Sequence, residues 1–519
     1  MKAMKFVVAA VAALLTSAAN AEWHEARTNH FIIYSQSKRA DTIAFAERLE
    51  RFDNALRVLQ RLPTDKAAPD PAKVVIFRFG DNRDIGELAG SRGVAGFYMP
   101  RAAYAVAFTP IDEYRPTGTA ERTETRGQLT AGVVLFHEYT HHFMLRSFPA
   151  TYPGWYIEGF AEVNSTIDLR PDGSFVVGKP ANHRSFELFQ MQPLHVRKLL
   201  DPAYKYQSIE ETVQKYSIGW LLSHYLSFHK PRAGQLASYL KMMGEGKNGL
   251  VAAETAFGDL NQLNSELQKY KKTNLPALEV IPPGYTPPTV TVRLLDPSEE
   301  KYMRQRILLS RGVTRSEARR ISGGLNEAAA LDTKNLPLQL LAAESSLDAL
   351  NFAGATLAAD RALAIAPNSV EALIFKARAL IENKEGKPER FPAARKLLVQ
   401  ARSIDKDDPR PLIHYYLSYR LAAQRPIPEM ALFALDDAYE LARHDPYYRL
   451  ILTRQLLEEN RLSPAAQVLA PIAYSFDGRD PEKNFAGKAM AAIHAGDGPG
   501  ALAILNKQLD KIEGADEES

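Results

Sequence analysis

The stretch LFHEYTHHFML, residues 135–145, decides how this chain is read. Leu135, Phe136, Tyr139, Phe143 and Met144 fall at the three- and four-residue spacing of a buried helical face. His137, Glu138, His141 and His142 interrupt it. A buried imidazole or carboxylate without a partner costs several kcal/mol, so something must compensate these groups. Residues four apart lie about 40° past a full helical turn, so His137 and His141 leave one face, one turn apart, and can reach a single ion. Glu138 flanks that face and can address a water without holding the ion. This is the HExxH arrangement of two ligands and a general base.

Alone, HExxH arises by chance in roughly two of a hundred chains with this histidine content. The segment PGWYIEGFAE (153–162) makes it specific. It begins as a turn and continues as an amphipathic helix with Glu158 and Glu162 one turn apart. Sixteen residues separate Glu158 from His141, enough for the chain to return a third ligand. A His2Glu set with its fourth position open to water is the catalytic pattern of zinc. Glu162 is placed to accept a hydrogen bond from the other nitrogen of a ligand histidine.

HEYTH followed by WYIEGFAE resembles the gluzincin zinc peptidases, which include the thermolysin and aminopeptidase N types, over about residues 90–230. The resemblance implies a zincin-like catalytic domain with Zn2+ held by His137, His141 and Glu158 and with Glu138 as general base. The aminopeptidase-like members carry a Tyr-x-x-Gly segment whose tyrosine stabilises developing negative charge. KYSIGW (215–220) matches it with Tyr216 and Gly219, and a helix-packing tyrosine is the alternative there. The acid-bearing segment that binds a free amino terminus in aminopeptidases is missing. GFYMP (96–100) occupies about its place without an acid, which favours an endopeptidase. The strand AAYAVAF (102–108) is expected to pair with an extended substrate backbone.

Other histidines rank lower. His142 lies one turn on from Glu138 and is a candidate to line the cleft, with a rim or packing role as the alternative; His224 is expected as a satisfied buried imidazole, and His183 is a pocket candidate by position alone. Trp155 and Trp220 read as core.

The chain has 519 residues, a net charge of +3, 24% charged residues and no cysteine. Thiolate metal sites and cysteine nucleophiles are therefore excluded, and no nucleic-acid-binding signature is present. Residues 1–21 combine Lys2 and Lys5, an apolar run and Ala19-Asn20-Ala21, which predicts a cleavable signal peptide, with an uncleaved anchor as the alternative. Export is expected, to the periplasm. No later segment is apolar for long enough to form a stable membrane span. Strands are predicted at 30–37 and 72–79, a hairpin at 93–110 and a short strand at 174–178. Helices are predicted at 40–62, 126–147, 155–166, 208–229 and 231–271. This is an α+β domain over 22–275. Residues 276–297 read as a proline-rich linker. From 298 to 512, alternating helices with prolines at 337, 367, 409, 446 and 481 resemble tetratricopeptide (TPR) repeats, with a generic helical-hairpin array as the alternative. Residues 513–519 form an acidic tail. The expected function is an exported zinc-dependent peptidase acting on peptide or protein substrates, with a possible protein partner on the repeats. The alternative is a catalytically silent zincin/TPR scaffold of the cell envelope.

Overall fold

Two short apolar runs, FIIY and VVIF, form the middle of a mixed six-stranded sheet. The computed structural model describes residues 22–91, 94–111, 129–148, 152–202, 204, 206–245, 247–475 and 484–514. Residues 1–21, expected to be a signal peptide, and the end of the acidic tail, from 515, lie outside them. The sheet is built from β1 (His24–Arg27), β2 (Phe31–Ser35), β3 (Val74–Arg78), β4 (Phe97–Met99), β5 (Val106–Thr109) and β9 (Thr291–Leu294), in the order β4-β5-β3-β2-β1-β9. β2 with β3 and β3 with β5 run parallel, and the outer pairs are antiparallel. Parallel strands covered on both faces need continuous apolar runs, as these two are. Side chains alternate along each strand. Phe31, Ile33, Ile76 and Ala107 pack on helices α1 (Arg39–Leu59) and α3 (Ala131–Ser147), where the rings of Phe52 and Phe136 stack at 3.9 Å. Ile32, Tyr34, Phe77, Val106 and Phe108 point the other way, towards Met303 and Ile307.

Helix α2 (Asn82–Ala89), between β3 and β4, was not anticipated. Its signal is a capping box, in which Asp81 accepts from Arg83 N and Asp84 N while Asp84 accepts from Asp81 N. After α3 come α4 (Gly154–Ser165), β6 (Asp168–Leu169), β7 (Phe175–Val177), α5 (Ser185–Phe189), α6 (Val196–Leu200) and α7 (Ile209–Phe228). The expected helical stretch 231–271 divides into α8 (Gln235–Gly244), α9 (Gly249–Phe257) and α10 (Leu260–Tyr270), separated by the caps Asn248 and Asp259. Residues 126–128 of the helix expected at 126–147 lie outside the described residues, and α3 begins at its N-cap Thr130.

Two expectations are corrected. The proline-rich segment 276–297 is not a bare linker. β8 (Leu278–Val280) pairs with β7 in a second sheet, and β9 pairs with β1, so the α+β region runs to Leu294 rather than 275. Its prolines flank the strands, where no ladder donor is lost. The strand within 102–108 cannot accept a substrate backbone, because β5 is bonded on both sides; the free edge of the hairpin is β4.

From Pro297 the described residues are helical: α11 (Pro297–Lys301), α12 (Met303–Arg311), α13 (Arg315–Leu331), α14 (Leu336–Asp348), α15 (Phe352–Ile365), α16 (Val370–Glu382), α17 (Arg390–Ile404), α18 (Arg410–Leu421), α19 (Glu429–Leu441), α20 (Pro446–Glu458), α21 (Leu462–Ser475), α22 (Phe485–His494) and α23 (Gly498–Gly514). Successive helices pack on each other through buried alanines such as Ala342, Ala355 and Ala359. Asn335, Ser369 and Asp445 cap their helices, and Pro337 and Pro446 lie in first turns, where the missing N–H costs nothing. Pro481 lies outside the described residues. The two regions touch closely. Ala102 enters the core of the last helices, and Arg146 on α3 donates to the Leu441 carbonyl at 3.5 Å.

Candidate metal centre

Helix α3 turns Leu135, Phe136, Tyr139 and Phe143 into the core and leaves His137, Glu138 and His141 half-buried on another face. Helix α4 packs beside it, held by Trp155, Ile157 and Ala161 and crossed by α7. The crossing depends on two glycines. A Cβ on Gly219 would stand 2.9 Å from the Trp155 carbonyl oxygen, and one on Gly159 would stand 2.8 Å from the Gly219 carbonyl carbon. Side chains at either place would force the helices apart.

The packing brings Glu158 onto the two histidines. His137 Nε2 and His141 Nε2 lie 3.0 Å apart, and Glu158 Oε2 lies 3.2 Å from the first and 3.4 Å from the second. Zinc-type ligands bind at about 2.0–2.2 Å, which puts tetrahedral ligand atoms about 3.3 Å from each other. The circle through these three atoms has a radius of about 1.9 Å, so a point about 2.05 Å from each exists, about 0.9 Å out of their plane. The buried polar atoms fit the same answer. One proton between the two nitrogens would account for the 3.0 Å contact, but Glu158 Oε2 remains buried without a hydrogen bond. A cation at the common point satisfies the three converging atoms at once, and these residues could hold a metal ion. Burial alone would raise the Glu158 carboxyl, yet the charge of His141 and the contacts with both imidazoles hold it well below the usual carboxylate range.

Glu162 backs the site. It is 1% exposed and lies 3.5 Å from His137 Nδ1. His183 Nε2 meets it at 2.8 Å, and Arg184 donates from Nη2 at 2.5 Å and Nε at 3.1 Å. Burial works against its charge, but these donors outweigh it and hold the carboxyl at about 2. His183 thus belongs to this assembly, and Arg184 was missed altogether. Only the basic pair in ANHRSF (181–186) hinted at them, since their partner sits on another element. Arg184 also lies 5.1 Å over the ring of Tyr216, so Tyr216 on α7 is one residue removed from Glu162. Glu138 is half-buried, and its charge is felt by His141 and by Tyr98 on the edge strand β4.

His142 is a packing residue. Its Nδ1 meets Tyr98 Oη at 2.7 Å, and its ring lies 5.0 Å from that of His444. His224 is satisfied by Tyr270 Oη and the Gly178 carbonyl, both at 2.9 Å. Trp155 and Trp220 are buried in the core.

A second cluster, His30, Glu50 and Asp53, lies behind α3 and has ligand-like spacing, but its chemistry is that of an ion pair. His30 Nε2 faces the Lys66 carbonyl at 3.1 Å and Nδ1 faces Glu50 at 2.8 Å and Asp53 at 3.3 Å. Both nitrogens point at acceptors, so both carry protons. Burial lowers this imidazole, but the carboxylates override that and raise it. Arg57 and Tyr139 Oη complete the shell of Asp53.

Comparison of the chain with protein-family models, curated proteins and solved structures finds no match. Among the described residues, no helix is long and apolar enough to cross a membrane.

Proposed function

We propose that this chain is a zinc-dependent peptidase of the gluzincin type, exported by its N-terminal segment, with a zincin-like catalytic region and C-terminal TPR-like helices. The observation that carries the reading is the convergence of His137 Nε2, His141 Nε2 and Glu158 Oε2 on one point within ligand distance of all three. An N2O set from three side chains, with a fourth direction left over, suits zinc better than calcium or magnesium, which prefer six or more oxygens. Zinc bound there would polarise a water and the scissile carbonyl near neutral pH.

The chain's own groups supply the rest. The Glu138 carboxylate takes a proton from the attacking water as its oxygen bonds to the carbonyl carbon, then returns it to the amine nitrogen as the C–N bond breaks. Glu162, fixed by His183 and Arg184, holds the Nδ1 side of His137 and thereby the direction of its Nε2. Tyr216 donates from its hydroxyl to the developing oxyanion. The edge strand β4, which carries Phe97, Tyr98 and Met99 and no acid, pairs with an extended substrate, which favours cleavage within a chain over removal of its first residue. Glu138→Gln keeps stoichiometric zinc while cleavage of unfolded casein falls by orders of magnitude, and chelator abolishes wild-type cleavage until zinc is restored. Undiminished cleavage by Glu138→Gln removes the residue from the reaction. Zinc binding with no cleavage of any peptide favours the silent scaffold.

A further inference from the structure

The face of the six-stranded sheet turned away from α3 is not filled by the helices that cover it. Ile32, Val75, Phe77 and Val106 form an apolar floor, and α14, α16 and α18 stand off from it to leave a cavity of about 760 Å³. Cores normally contain few voids larger than a water, and this volume lies in the range of small-ligand pockets, about 300–1,000 Å³. The walls are polar and cationic, with six arginines and four glutamates in the lining. Most of these charges are matched. Arg293 pairs with Glu25 and Glu299, Arg27 with Glu25, Arg410 with Asp408 and Glu371, and Arg378 with Glu382.

Two are not. Arg101 and Arg306 have no carboxylate at ion-pair distance among the described residues. Arg306 lies 4.2 Å over the Tyr34 ring and donates to its hydroxyl at 2.6 Å. Arg101 donates to the Leu309 carbonyl at 3.3 Å, so both guanidiniums sit at α12. Each keeps donors in a planar fork that matches a carboxylate, and both are half-buried, where water screens them less. Glu344 faces the same space from α14, beside Arg378, and the lining stays net positive with it counted.

We propose that this cavity is a second binding site, for a small amphipathic carboxylate whose anionic group is held by Arg101 and Arg306 and whose apolar body lies on the sheet floor. The site is on the opposite sheet face from the metal ligands and does not depend on the peptidase reading. A fatty acid and the free C-terminus of a short apolar peptide share this chemistry.

The test is titration calorimetry on the full chain with dodecanoate below its micelle concentration and with acetyl-Leu-Leu-Phe as free acid. Acetate, dodecyltrimethylammonium and the peptide amide serve as controls. One molecule per chain binds, and the controls bind at least about tenfold more weakly. Binding of dodecanoate alone identifies a lipid-type ligand, and binding of the peptide acid alone a peptide end; either result supports the site. Arg101→Gln and Arg306→Gln each weaken binding about tenfold or more, and Leu341→Trp, which narrows the cavity, weakens it further, with unchanged circular dichroism. Glu138→Gln binds like the wild type. The proposal is overturned if neither acid binds, if the cation or the amide binds as tightly as the acids, or if both arginine variants, folded as judged by circular dichroism, bind like the wild type.

Discussion

Gly159→Ala is the sharpest test of how the candidate metal site is assembled. The new Cβ would stand 2.8 Å from the Gly219 carbonyl carbon and closer still to its oxygen and to Ser223 Oγ. Carbon atoms in contact sit about 3.5 Å apart or more, so α4 and α7 must shift by about 0.7 Å. Ser223 can rotate away, but the backbone of Gly219 cannot. If α4 carries Glu158 outwards by that amount, its separations from the histidine nitrogens grow to about 3.9 and 4.1 Å. The circle through the three atoms then has a radius of about 2.2 Å, beyond the 2.0–2.1 Å of a zinc–nitrogen bond, and no common point remains. An inward shift drives Oε2 into the nitrogens. Overpacking of this kind costs about 1–3 kcal/mol. The expected result is a lowered melting temperature and a zinc affinity at least about tenfold weaker, read by competition with a chromogenic chelator. Ser223→Ala in the same background does not rescue it. A Gly159→Ala protein with wild-type melting and wild-type zinc affinity would refute the reasoning.

Three further outcomes follow from the same geometry. Glu162→Gln leaves Arg184 and His183 facing a neutral group in a buried site, costs about 3 kcal/mol of stability and weakens zinc about 10–100-fold, measured by thermal melts with and without metal. Tyr216→Phe keeps zinc content and KM and lowers kcat about 10²-fold or more; an unchanged kcat makes Tyr216 a packing residue only. The His30 pair makes stability pH-dependent in a defined sense. His30 is raised in the folded state, so its contribution is complete below 6.5 and is lost as pH rises through the raised value. Glu50 is lowered, so its contribution is present above 4.5 and is lost as pH falls through the lowered value. The melting-temperature gap between wild type and His30→Gln is therefore widest between these limits and narrows above neutrality, and a gap constant from pH 5 to 9 would contradict the charged assignment.

The candidate ligand set was legible because its information is local. Two histidines at i and i+4 and two acids at i and i+4 need only the helical period to be placed on faces. What escaped was non-local. Nothing in TVRL (291–294) announces that it pairs with HEAR (24–27) across most of the α+β region, and the five nearby prolines, too many for a helix, read as a linker. Which strand of the hairpin 93–110 becomes the edge is fixed by the pairing of β5 with β3, and no hairpin pattern contains that. His183 and Arg184 follow the same rule, because the carboxylate that gives them a role lies on α4. The exception is α2, whose Asp81–Asp84 box was local and readable.

The C-terminal helices have a structural role whatever else they bind. The sheet face bearing Ile32, Phe77, Val106 and Phe108 is apolar, and Met303 and Ile307 cover part of it. An exposed patch of that kind would be an association surface. The same helices reach α3 itself, since His444 meets the Arg101 carbonyl at 2.7 Å, packs on His142 and stands beside the Tyr98–His142 hydrogen bond. Helix α3 is thus held from one side by the sheet and α1 and from another by the loop between α19 and α20. Recruitment of a partner must therefore use surfaces left free by this docking. The inner faces of α14, α16 and α18 are spent on the sheet and the cavity, whereas Leu357 on α15, Val399 on α17, Leu421 on α18 and Met430 and Phe433 on α19 are among the apolar side chains open to solvent.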